Sequence, residues 1–437
     1  MRVEVGRIRQ SLKNRPLFTL TLMAAAFLAA RLAVVPLVWP EKTPFECLDQ
    51  PYDGCGFAFD EAHYIPAVRK MLYFGENVNL EHPPLSKLLI TAGIVLLGDN
   101  PWGWRVPGTL LSTITVLLVG LTAYRVTRDV KLTIFSQTLV VTDVTFFNLS
   151  GLAILDPPFL MFTLLSLYLL LDGRRGLAGL AVGMAMLSKT SAFIALLALI
   201  AVDALHSYVR KHDLDAAVEV AKQSVREVGI PALAVFLVGL GAFDAATGAF
   251  PTPLHHLSFM FDYHSNLRYF DPRQVELPLS WIIPPISRGP SPYFVVTIEP
   301  IGTHPVALWG VSSPLWWSMW LLVPLTYFRV RRYVAQREAV ENPDPHAALL
   351  SWSAVSMLAF AFLAYVLKRW VYSFYFLQVS LILAIFLPAV LKSEKHDILL
   401  SVLLAAQLAW FVIFLPVKPT WLIDFLIGLG LGDVPWV

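Results

Sequence analysis

Long apolar segments recur along the chain from residue 17 to residue 430, and they restrict its fold more than any other feature. A helix that crosses a hydrocarbon core about 30 Å thick needs about 20 apolar residues. The mean hydropathy of +0.63 and the 15% of charged residues, against about 25% in soluble domains, exclude an ordinary soluble protein. The sequence therefore predicts an all-α polytopic membrane protein with a single transmembrane domain over residues 1–437 and no nucleic-acid partner.

The apolar segments predict eleven membrane crossings, two of which are short and meet near Lys189. The crossings are predicted at residues 17–39, 105–124, 132–149, 155–172, 176–188, 191–208, 229–247, 314–328, 348–367, 372–391 and 397–415. Lys and Arg, which concentrate on cytoplasmic sides, cluster before the first crossing and after every second one. This pattern predicts a multi-pass protein of the cell membrane with a cytoplasmic N-terminus and an external C-terminus.

Two long segments between crossings, residues 41–104 and 248–313, are predicted to be external loops. At about 1.5 Å per residue, the apolar stretch at 88–98 in the first loop is too short to cross the membrane, so we expect it to lie along the outer interface. The first loop also holds Cys47 and Cys55, the only two cysteines. They either form a disulfide in an oxidising compartment or remain free thiols, and their spacing alone does not decide between these states.

Ionisable side chains gather on the two predicted external loops and on the outer halves of the predicted helices. They are Asp60, Glu61, Glu81, His82, Lys87, Arg105, Asp143, Asp156, Lys189, Asp244 and His264. Because a charge within or beside a membrane span is costly, such residues by default indicate a functional site that faces the protein interior. Acids and bases at one depth predict a polar cavity at the outer leaflet. The alternative is a set of structural ion pairs and snorkelling side chains.

One chemistry that would use this combination of groups is glycosyl transfer from a lipid-phosphate sugar. The lipid tail stays in the bilayer, Arg or Lys binds the phosphate at the interface, and a carboxylate takes the proton of the hydroxyl that attacks the anomeric carbon. Phosphate is a good leaving group, so the site needs no second carboxyl group as a proton donor, unlike a glycosidase. An Asp-Glu pair alone is weak evidence, because "DEAHYIPAVRKML" also reads as an amphipathic helix with Asp60 at its N-cap.

Several motifs follow one another along the chain. They are "FDEAHY", "EHPPLSKLL", "WRVPG", "LAILDPPFLMF", "GLAVGMAMLSKTSAF", "FMFDYHSNL", "LSWIIPPIS" and "SSPLWW". In order and approximate spacing they resemble the dolichyl-phosphate-mannose protein O-mannosyltransferases, and the resemblance covers nearly the whole chain. It implies the GT-C glycosyltransferase fold with about eleven transmembrane helices and a helical first external loop. Bacterial transferases that attach aminoarabinose to lipid A share the first two motifs and the GT-C architecture.

The resemblance also implies roles for individual residues, with Asp60 as the catalytic base. The residues implied to hold the acceptor or to shape the sugar pocket are Glu61, Glu81, His82 and His264. Those implied to bind the donor phosphate are Arg105, Lys189 and Lys87. Asp156 is a further site candidate, and for His264 a hydrogen-bonded structural role is an equal alternative. We expect no metal ion or other cofactor, because the family needs none.

The resemblance predicts an inverting enzyme that moves mannose, or a related hexose, from a polyprenyl or dolichyl phosphate to Ser or Thr hydroxyls of exported proteins. Since no MIR-type domain is recognised in these residues, we expect a member of the prokaryotic type. The sequence departs from the family by lacking an Arg in "SGLAILD" and by placing Ser86 where Gly is common. These departures leave the sugar and the acceptor open. The alternatives are a GT-C transferase of the aminoarabinose type, acting on a lipid or glycan, and a transporter that breaks no bond.

Overall fold

A computed structural model describes residues 16–37, 39–49, 54–272, 275–284, 295–301, 304–338, 344–393 and 395–431. Helices form most of the regular structure in these residues, and their buried faces contribute to one large hydrophobic core. The basic segment before residue 16, on which the predicted orientation partly rests, lies outside the described residues.

The α-helices are numbered in chain order through the described residues. The first ten are α1 Pro16–Val34, α2 Glu61–Arg69, α3 Leu85–Leu97, α4 Pro101–Thr127, α5 Val130–Val141, α6 Val144–Leu149, α7 Asp156–Leu171, α8 Arg175–Ser188, α9 Ala192–Lys211 and α10 Leu214–Ser224. The others are α11 Ile230–Thr247, α12 Pro253–Asn266, α13 Pro278–Trp281, α14 Pro314–Trp317, α15 Met319–Gln336, α16 Pro345–Ala361, α17 Leu377–Ser393, α18 Asp397–Ile413 and α19 Thr420–Leu426. Helical turns of other pitch adjoin them at Val35–Leu37, Lys70–Phe74, Val225–Gly229, Phe362–Val366, Ser373–Phe376 and Ile427–Leu431.

Six helical segments of the described chain are long and apolar enough to cross a membrane. They are Pro16–Leu37, Pro101–Thr127, Ala192–Lys211, Leu214–Thr247, Pro345–Val366 and Ser373–Ser393. The other predicted crossings coincide with helices that are shorter or less apolar, namely α5 with α6, α7, α8, α14 with α15, and α18. The chain is therefore a helical multi-pass membrane protein, as predicted. The number of eleven crossings stays a prediction.

The two short crossings predicted to meet near Lys189 are separate helices. The first, α8, ends at Ser188, and α9 begins at Ala192. Lys189 itself is extended, with φ −155° and ψ 136°, so it cannot continue a helix. Lys189 therefore lies at the joint between α8 and α9, where its side chain is buried.

The helix predicted over residues 132–149 is interrupted at Asp143, and this part of the prediction is wrong. Asp143 has an extended backbone, and its side chain accepts a bond of 2.8 Å from the Phe146 amide as the N-cap of α6. The other carboxylate oxygen accepts bonds from Ser313 Oγ at 2.9 Å and Trp316 Nε1 at 2.6 Å. A buried carboxylate requires such partners, so the interruption joins α5 and α6 to the "SSPLWW" motif.

A β-hairpin that the sequence analysis did not predict lies in the second loop. Strands β1 Val295–Ile301 and β2 His304–Trp309 pair antiparallel, with Val295 opposite Trp309 and an irregularity between Ile298 and Ile301. Val, Ile and Thr occupy much of this stretch, and these side chains favour strands. The protein remains helical in class, with the hairpin as a local addition.

The first loop is ordered by covalent and ionic links. Cys47 and Cys55 form a disulfide, with Cα atoms 5.8 Å apart, so the first of the two states left open by the sequence is the one found. Arg69, at the end of α2, is buried and pairs with Asp99 at 2.9 Å. The helix predicted after Asp60 is confirmed as α2. The Asp60 side chain makes no capping bond, so its carboxylate remains available for other contacts.

Glycine permits the close approach of α3 and α4. A Cβ atom added at Gly93 would lie 2.1 Å from the Gly103 carbonyl oxygen and 2.5 Å from Pro107 Cγ. Neither atom belongs to a flexible chain end, so relief requires movement of a whole helix. Lys87, whose side chain bonds the loop before α3, lies on the same helix, so this packing also sets the position of that loop.

We predict that Gly93→Ala lowers the free energy of unfolding by about 1 to 3 kcal/mol, because the added methyl group overpacks the contact between α3 and α4. Thermal unfolding in detergent measures the change. Gly176→Ala is the matched control, since a Cβ at Gly176 meets nothing within 4 Å. Equal stability of Gly93→Ala and wild type would contradict the close packing described here.

Candidate active site

A cavity of about 510 Å³ lies where the first loop, the joint between α8 and α9, α12 and the segment 369–375 meet. We call it the polar cavity because ionisable side chains line it. Five of them were predicted as site residues from the sequence, and these are Asp60, Glu81, His82, Lys189 and His264. Residues that the prediction did not include complete the wall, among them His63, Tyr64, Asn79, Arg369, Tyr372 and Tyr375. Residues far apart in the sequence therefore line one cavity. It includes five of the eleven ionisable residues that were expected at this depth, and the other six lie outside its lining.

An apolar groove of about 380 Å³ adjoins the polar cavity. The two share five lining residues, which are His82, Lys189, His264, Arg369 and Tyr375. Most of the remaining groove wall is apolar and includes Phe193, Ile194, Leu257, Met260, Leu363 and Leu367. The basic side chains of Lys189 and Arg369 thus lie at the boundary between a polar and an apolar space.

A third opening, the outer cleft of about 240 Å³, borders the polar cavity on another side. His63, Asn79 and Glu81 line both spaces. The rest of the outer cleft includes Ala62 and Lys70, which lie on the helical segment that follows Asp60. The polar cavity is therefore bordered by the apolar groove and by the outer cleft, whose lining includes both polar and apolar residues.

Asp60 lies half-buried in the wall of the polar cavity, directly before α2. Burial raises the pKa of its carboxyl group to about 7, with Lys189 acting to lower it and Asp156 to raise it. A carboxylate whose pKa is close to neutral can accept a proton during a reaction and release it to water afterwards. This environment is therefore compatible with the predicted role of Asp60 as a base, which stays a prediction.

Lys189 and Asp156 form a buried ion pair beside the polar cavity. Lys189 Nζ lies 2.7 Å and 2.9 Å from the two Asp156 carboxylate oxygens. The same ammonium group lies 4.7 Å from the ring centroids of Phe374 and Tyr375, within the range of cation–π attraction. The first turn of α7 and two aromatic rings therefore hold the Lys189 charge at the junction of cavity and groove.

His264 and Arg369 form a second polar contact at this junction. Arg369 Nη2 donates to His264 Nδ1 at 2.9 Å, so this nitrogen carries no proton. Burial and the Arg369 charge lower the pKa of His264 to about 4. Burial also lowers the pKa of His82 well below its usual value, with His264 and the nearby cations adding to the shift. Both histidines are therefore neutral near pH 7 and act as hydrogen-bonding groups.

Glu81 lies in the wall shared by the polar cavity and the outer cleft, where its Oε1 accepts a bond of 2.9 Å from Asn79 Nδ2. In the next residue, His82, Nδ1 is buried and has no hydrogen-bond partner in the described part of the chain. Both side chains are thus available to a ligand in the polar cavity. Within the described residues, no three His, Cys, Asp or Glu side chains are grouped as metal ligands.

Glu61 and Arg105 do not line any of the three spaces, and the ligand contacts predicted for them are not supported. Their side chains form a buried pair, with Nη2 to Oε2 at 2.7 Å and Nε to Oε1 at 2.9 Å. Glu61 also accepts bonds from the amides of Ala58 at 2.8 Å and Ala153 at 2.9 Å. All its strong acceptor positions are occupied within the protein, so its role here is to join chain segments.

Lys87 is also placed differently from the prediction. Its side chain is buried beneath the cavity wall and donates to the backbone oxygen of Asn79. Burial lowers the pKa of this ammonium group to about 8. Lys87 therefore supports the loop that carries Glu81 and His82, and it does not line the polar cavity or the apolar groove.

Arg369 is the main site residue that sequence reasoning missed. The signal that would have found it is "LKRWVY", since Lys368 and Arg369 lie between two predicted crossings on the side where basic residues are disfavoured. The structure pairs this segment with the second loop through backbone bonds from Tyr269 N to Lys368 O at 2.9 Å and from Trp370 N to Leu267 O at 3.0 Å.

Two solved structures share the fold. The S. cerevisiae protein O-mannosyltransferase Pmt1-Pmt2 complex bound to the sugar donor matches with a TM-score of 0.65, over 93% of this chain and 92% of that chain, at 11% sequence identity. ArnT from Cupriavidus metallidurans in the apo state matches with a TM-score of 0.52, over 86% and 62% of the two chains, at 15% identity. The chain therefore has the GT-C fold of membrane glycosyltransferases, as the motifs implied.

Sequence comparisons show which membrane glycosyltransferases the chain resembles. A family model for dolichyl-phosphate-mannose-protein mannosyltransferases matches residues 81–216, which confirms the family resemblance over that segment. The polyprenol-phosphate-mannose–protein mannosyltransferase of Mycolicibacterium smegmatis is 33% identical over 141 residues, 30% of this chain and 27% of that protein. An undecaprenyl phosphate-alpha-4-amino-4-deoxy-L-arabinose arabinosyl transferase of Pseudomonas aeruginosa is 26% identical over 300 residues, 62% of this chain and 51% of that protein. The matches thus span about a quarter and about half of these relatives.

We predict that Glu61→Ala and Arg105→Ala each lower the free energy of unfolding by about 3 to 5 kcal/mol, because each leaves an uncompensated buried charge. The double variant Glu61→Leu, Arg105→Met should recover part of that loss, because it leaves no unpaired charge but still removes the acceptor of the Ala58 and Ala153 amides. Thermal or denaturant unfolding in detergent measures all three. If the single variants fold as stably as wild type, the pair is not the structural joint described here, and direct ligand contacts become tenable again.

Proposed function

We propose that the protein is an inverting glycosyltransferase that moves mannose, or a related hexose, from a polyprenyl or dolichyl phosphate to Ser or Thr hydroxyls of exported proteins. One observation carries the proposal: a polar cavity with a carboxylate of raised pKa joins an apolar groove at two basic residues, Lys189 and Arg369. A lipid-phosphate sugar has the same order of parts, since its polar sugar and apolar tail are joined by an anion. The family match over residues 81–216 supports the mannosyl donor.

In the proposed complex the lipid tail occupies the apolar groove, the phosphate lies beside Lys189 and Arg369, and the sugar enters the polar cavity. The neutral side chains of His82 and His264 and the Glu81 carboxylate border the sugar there. Arg binds phosphate through paired N–H donors, and Lys acts as a point charge. In this arrangement Lys189 and Arg369 bind the phosphate, which is the charged group of the donor, and the lipid tail stays in contact with the apolar groove.

The proposed reaction is a single displacement. Asp60 accepts the proton of the acceptor hydroxyl as its oxygen forms a bond to the anomeric carbon. The bond from that carbon to the phosphate oxygen breaks, and the electron pair leaves with the lipid phosphate, whose charge Lys189 and Arg369 stabilise. Attack from the face opposite the phosphate inverts the anomeric centre. The step as written uses no metal ion, and metal independence stays a prediction.

The proposed acceptor approach is the outer cleft, because it shares His63, Asn79 and Glu81 with the polar cavity. The Cys47–Cys55 disulfide in the same loop supports an extracytoplasmic position for this side, since disulfides persist in oxidising compartments. We accordingly propose that the active site and the C-terminus face the outside of the cell membrane and the N-terminus faces the cytoplasm.

A second candidate function is transfer of aminoarabinose from undecaprenyl phosphate to a lipid or glycan acceptor. The observation that favours it is the longer match, over 62% of this chain, to the P. aeruginosa arabinosyl transferase. The charge and shape of the groove and cavity suit either donor. Supplying both donors, each with a Ser/Thr-rich peptide and with a lipid acceptor, and identifying the products by mass spectrometry separates the two functions.

We predict that Asp60→Asn reduces sugar transfer by about 100-fold or more, because the amide cannot accept the hydroxyl proton. The wild-type rate should rise with pH around an apparent pKa of about 7 and level off above it, since Asp60 acts only when unprotonated. Labelled donor, a Ser/Thr-rich peptide and EDTA in the assay provide the measurement.

Asp262→Asn is the matched control for this variant, because Asp262 is exposed on α12 and lies outside the three spaces. Binding of the donor should persist in Asp60→Asn. Full activity of that variant would assign the base to another residue, and loss of wild-type activity in EDTA would contradict metal independence.

We predict that Ala62→Trp, which fills the outer cleft, raises the KM for the peptide acceptor at least about tenfold by blocking its approach, as expected for lost ground-state binding. Slow hydrolysis of the donor by water should stay at the wild-type rate, because water needs no cleft. Leu72→Trp, on the exposed turn that follows, serves as the control. An unchanged KM for the acceptor would show that it approaches elsewhere.

A further inference from the structure

Residues 77–82 supply Asn79, Glu81 and His82 to the polar cavity, yet this segment belongs to neither helix nor strand. Without a backbone ladder, its position depends on bonds from other parts of the chain. One bond comes from Lys87, which donates to the Asn79 carbonyl oxygen. Two more bonds join the segment to the helices on either side of residue 250, in a part of the sequence far from the first loop.

His256 of α12 makes the central contact. Its Nε2 lies 2.8 Å from the Leu80 carbonyl oxygen, one residue before Glu81. Its Nδ1 lies 2.7 Å from Oδ1 of Asp244, near the end of α11. The ring also stacks on Phe250, with centroids 4.4 Å apart. His256 and Asp244 are 0% and 2% exposed, and neither lines any of the three spaces described above.

The proton count of this pair follows from its partners. A carbonyl oxygen only accepts, so His256 Nε2 must carry a hydrogen. The Asp244 contact then contains either an imidazolium with a carboxylate or an imidazole with a carboxylic acid. In both cases the pair is neutral overall and the Leu80 bond is donated by His256. Asp244 therefore sets the ring orientation and the tautomer that this bond requires.

A second hydrogen bond also links residues 77–82 to this part of the chain. Asn77 Nδ2 donates to the backbone oxygen of Thr247, the last residue of α11, at 2.9 Å. Two turns beyond His256, α12 contributes His264 to the polar cavity. The end of α11 and the start of α12 thus hold the segment 77–82 in one wall of the cavity, while the end of α12 forms part of another wall.

We propose that Asp244 and His256 are a positioning pair that holds Glu81 and His82 at the sugar end of the polar cavity by fixing the Leu80 carbonyl. This inference rests on the proposed function for its kinetic consequence. The structural consequence, loosening of residues 77–82 when the pair is removed, does not depend on the identity of the sugar or of the acceptor.

The test compares variants that remove the polar contacts with one that keeps them. His256→Phe with Asp244→Leu preserves the ring stack on Phe250 and removes both side chains of the buried polar contact together, so that the Leu80 carbonyl oxygen is the group that loses its donor. Asp244→Asn retains the contact, because its amide can donate to His256 Nδ1 while Nε2 still donates to Leu80. His255→Phe is the matched control, since His255 is the exposed neighbour on α12.

We expect the double variant to unfold near the wild-type temperature but to lose about 10- to 100-fold in kcat/KM for the donor, as for a displaced binding group. Asp244→Asn and His255→Phe should retain wild-type values. Amide hydrogen exchange, followed by mass spectrometry in peptides that cover residues 75–84, should be faster in the double variant only.

Unchanged exchange in the double variant, or equal loss of activity in His255→Phe, would overturn the proposal. Faster exchange with wild-type kcat/KM would also overturn it, because the segment would then move without consequence for the donor. If wild type transfers none of the sugars offered, the proposed function fails, and faster exchange confined to the double variant still supports the structural part of this inference.

Discussion

The arrangement of the site depends on the hydrogen bonds that the buried carboxylate of Glu61 accepts. It accepts four bonds, two from Arg105 and one each from the amides of Ala58 and Ala153. A carboxylate that is fully removed from water is tolerated only with partners of this kind. Since the partners come from three separate segments, these segments must meet at one point. Asp60 lies next to that point in the sequence, and Asp156 follows Ala153 by three residues, so one ion pair fixes the neighbourhood of both acids.

Neighbouring groups compensate the positive charge of Lys189 at the boundary between the polar cavity and the apolar groove. Asp156 compensates its ammonium group, and two aromatic rings cover it, so the cation is stable before any anion binds. Burial raises the pKa of the nearby Asp60 carboxyl group, while Lys189 acts to lower it and Asp156 to raise it. The two acids therefore differ in their surroundings, because Asp156 is paired with Lys189 and Asp60 is not.

The sequence predicted the helices well because hydropathy and helix length are local properties, and it predicted Asp60, Glu81, His82, Lys189 and His264 in one cavity through their motifs. The family resemblance implied ligand contacts for Glu61 and Arg105, and the sequence did not show their ion pair because side-chain pairing across 44 residues leaves no local trace. Arg369 was missed since its loop between two apolar segments is short, although its charge is unusual for that side. The interruption at Asp143 was missed for a similar reason, because the partners of that carboxylate lie 170 and 173 residues away.

The neutral state of the two cavity histidines decides how an anion can be recognised. His264 accepts from Arg369 and has a pKa of about 4, and the pKa of His82 is lower than usual for the same physical reasons. Neither ring can contribute a positive charge at neutral pH, so in this part of the cavity electrostatic attraction falls to Lys189 and Arg369. Arg369 is held for this by its backbone neighbours, which pair with the second loop at Leu267 and Tyr269. In the proposed complex the second loop therefore affects binding of the lipid phosphate through the guanidinium that it positions, while the two histidines exchange hydrogen bonds with uncharged hydroxyl groups of the sugar.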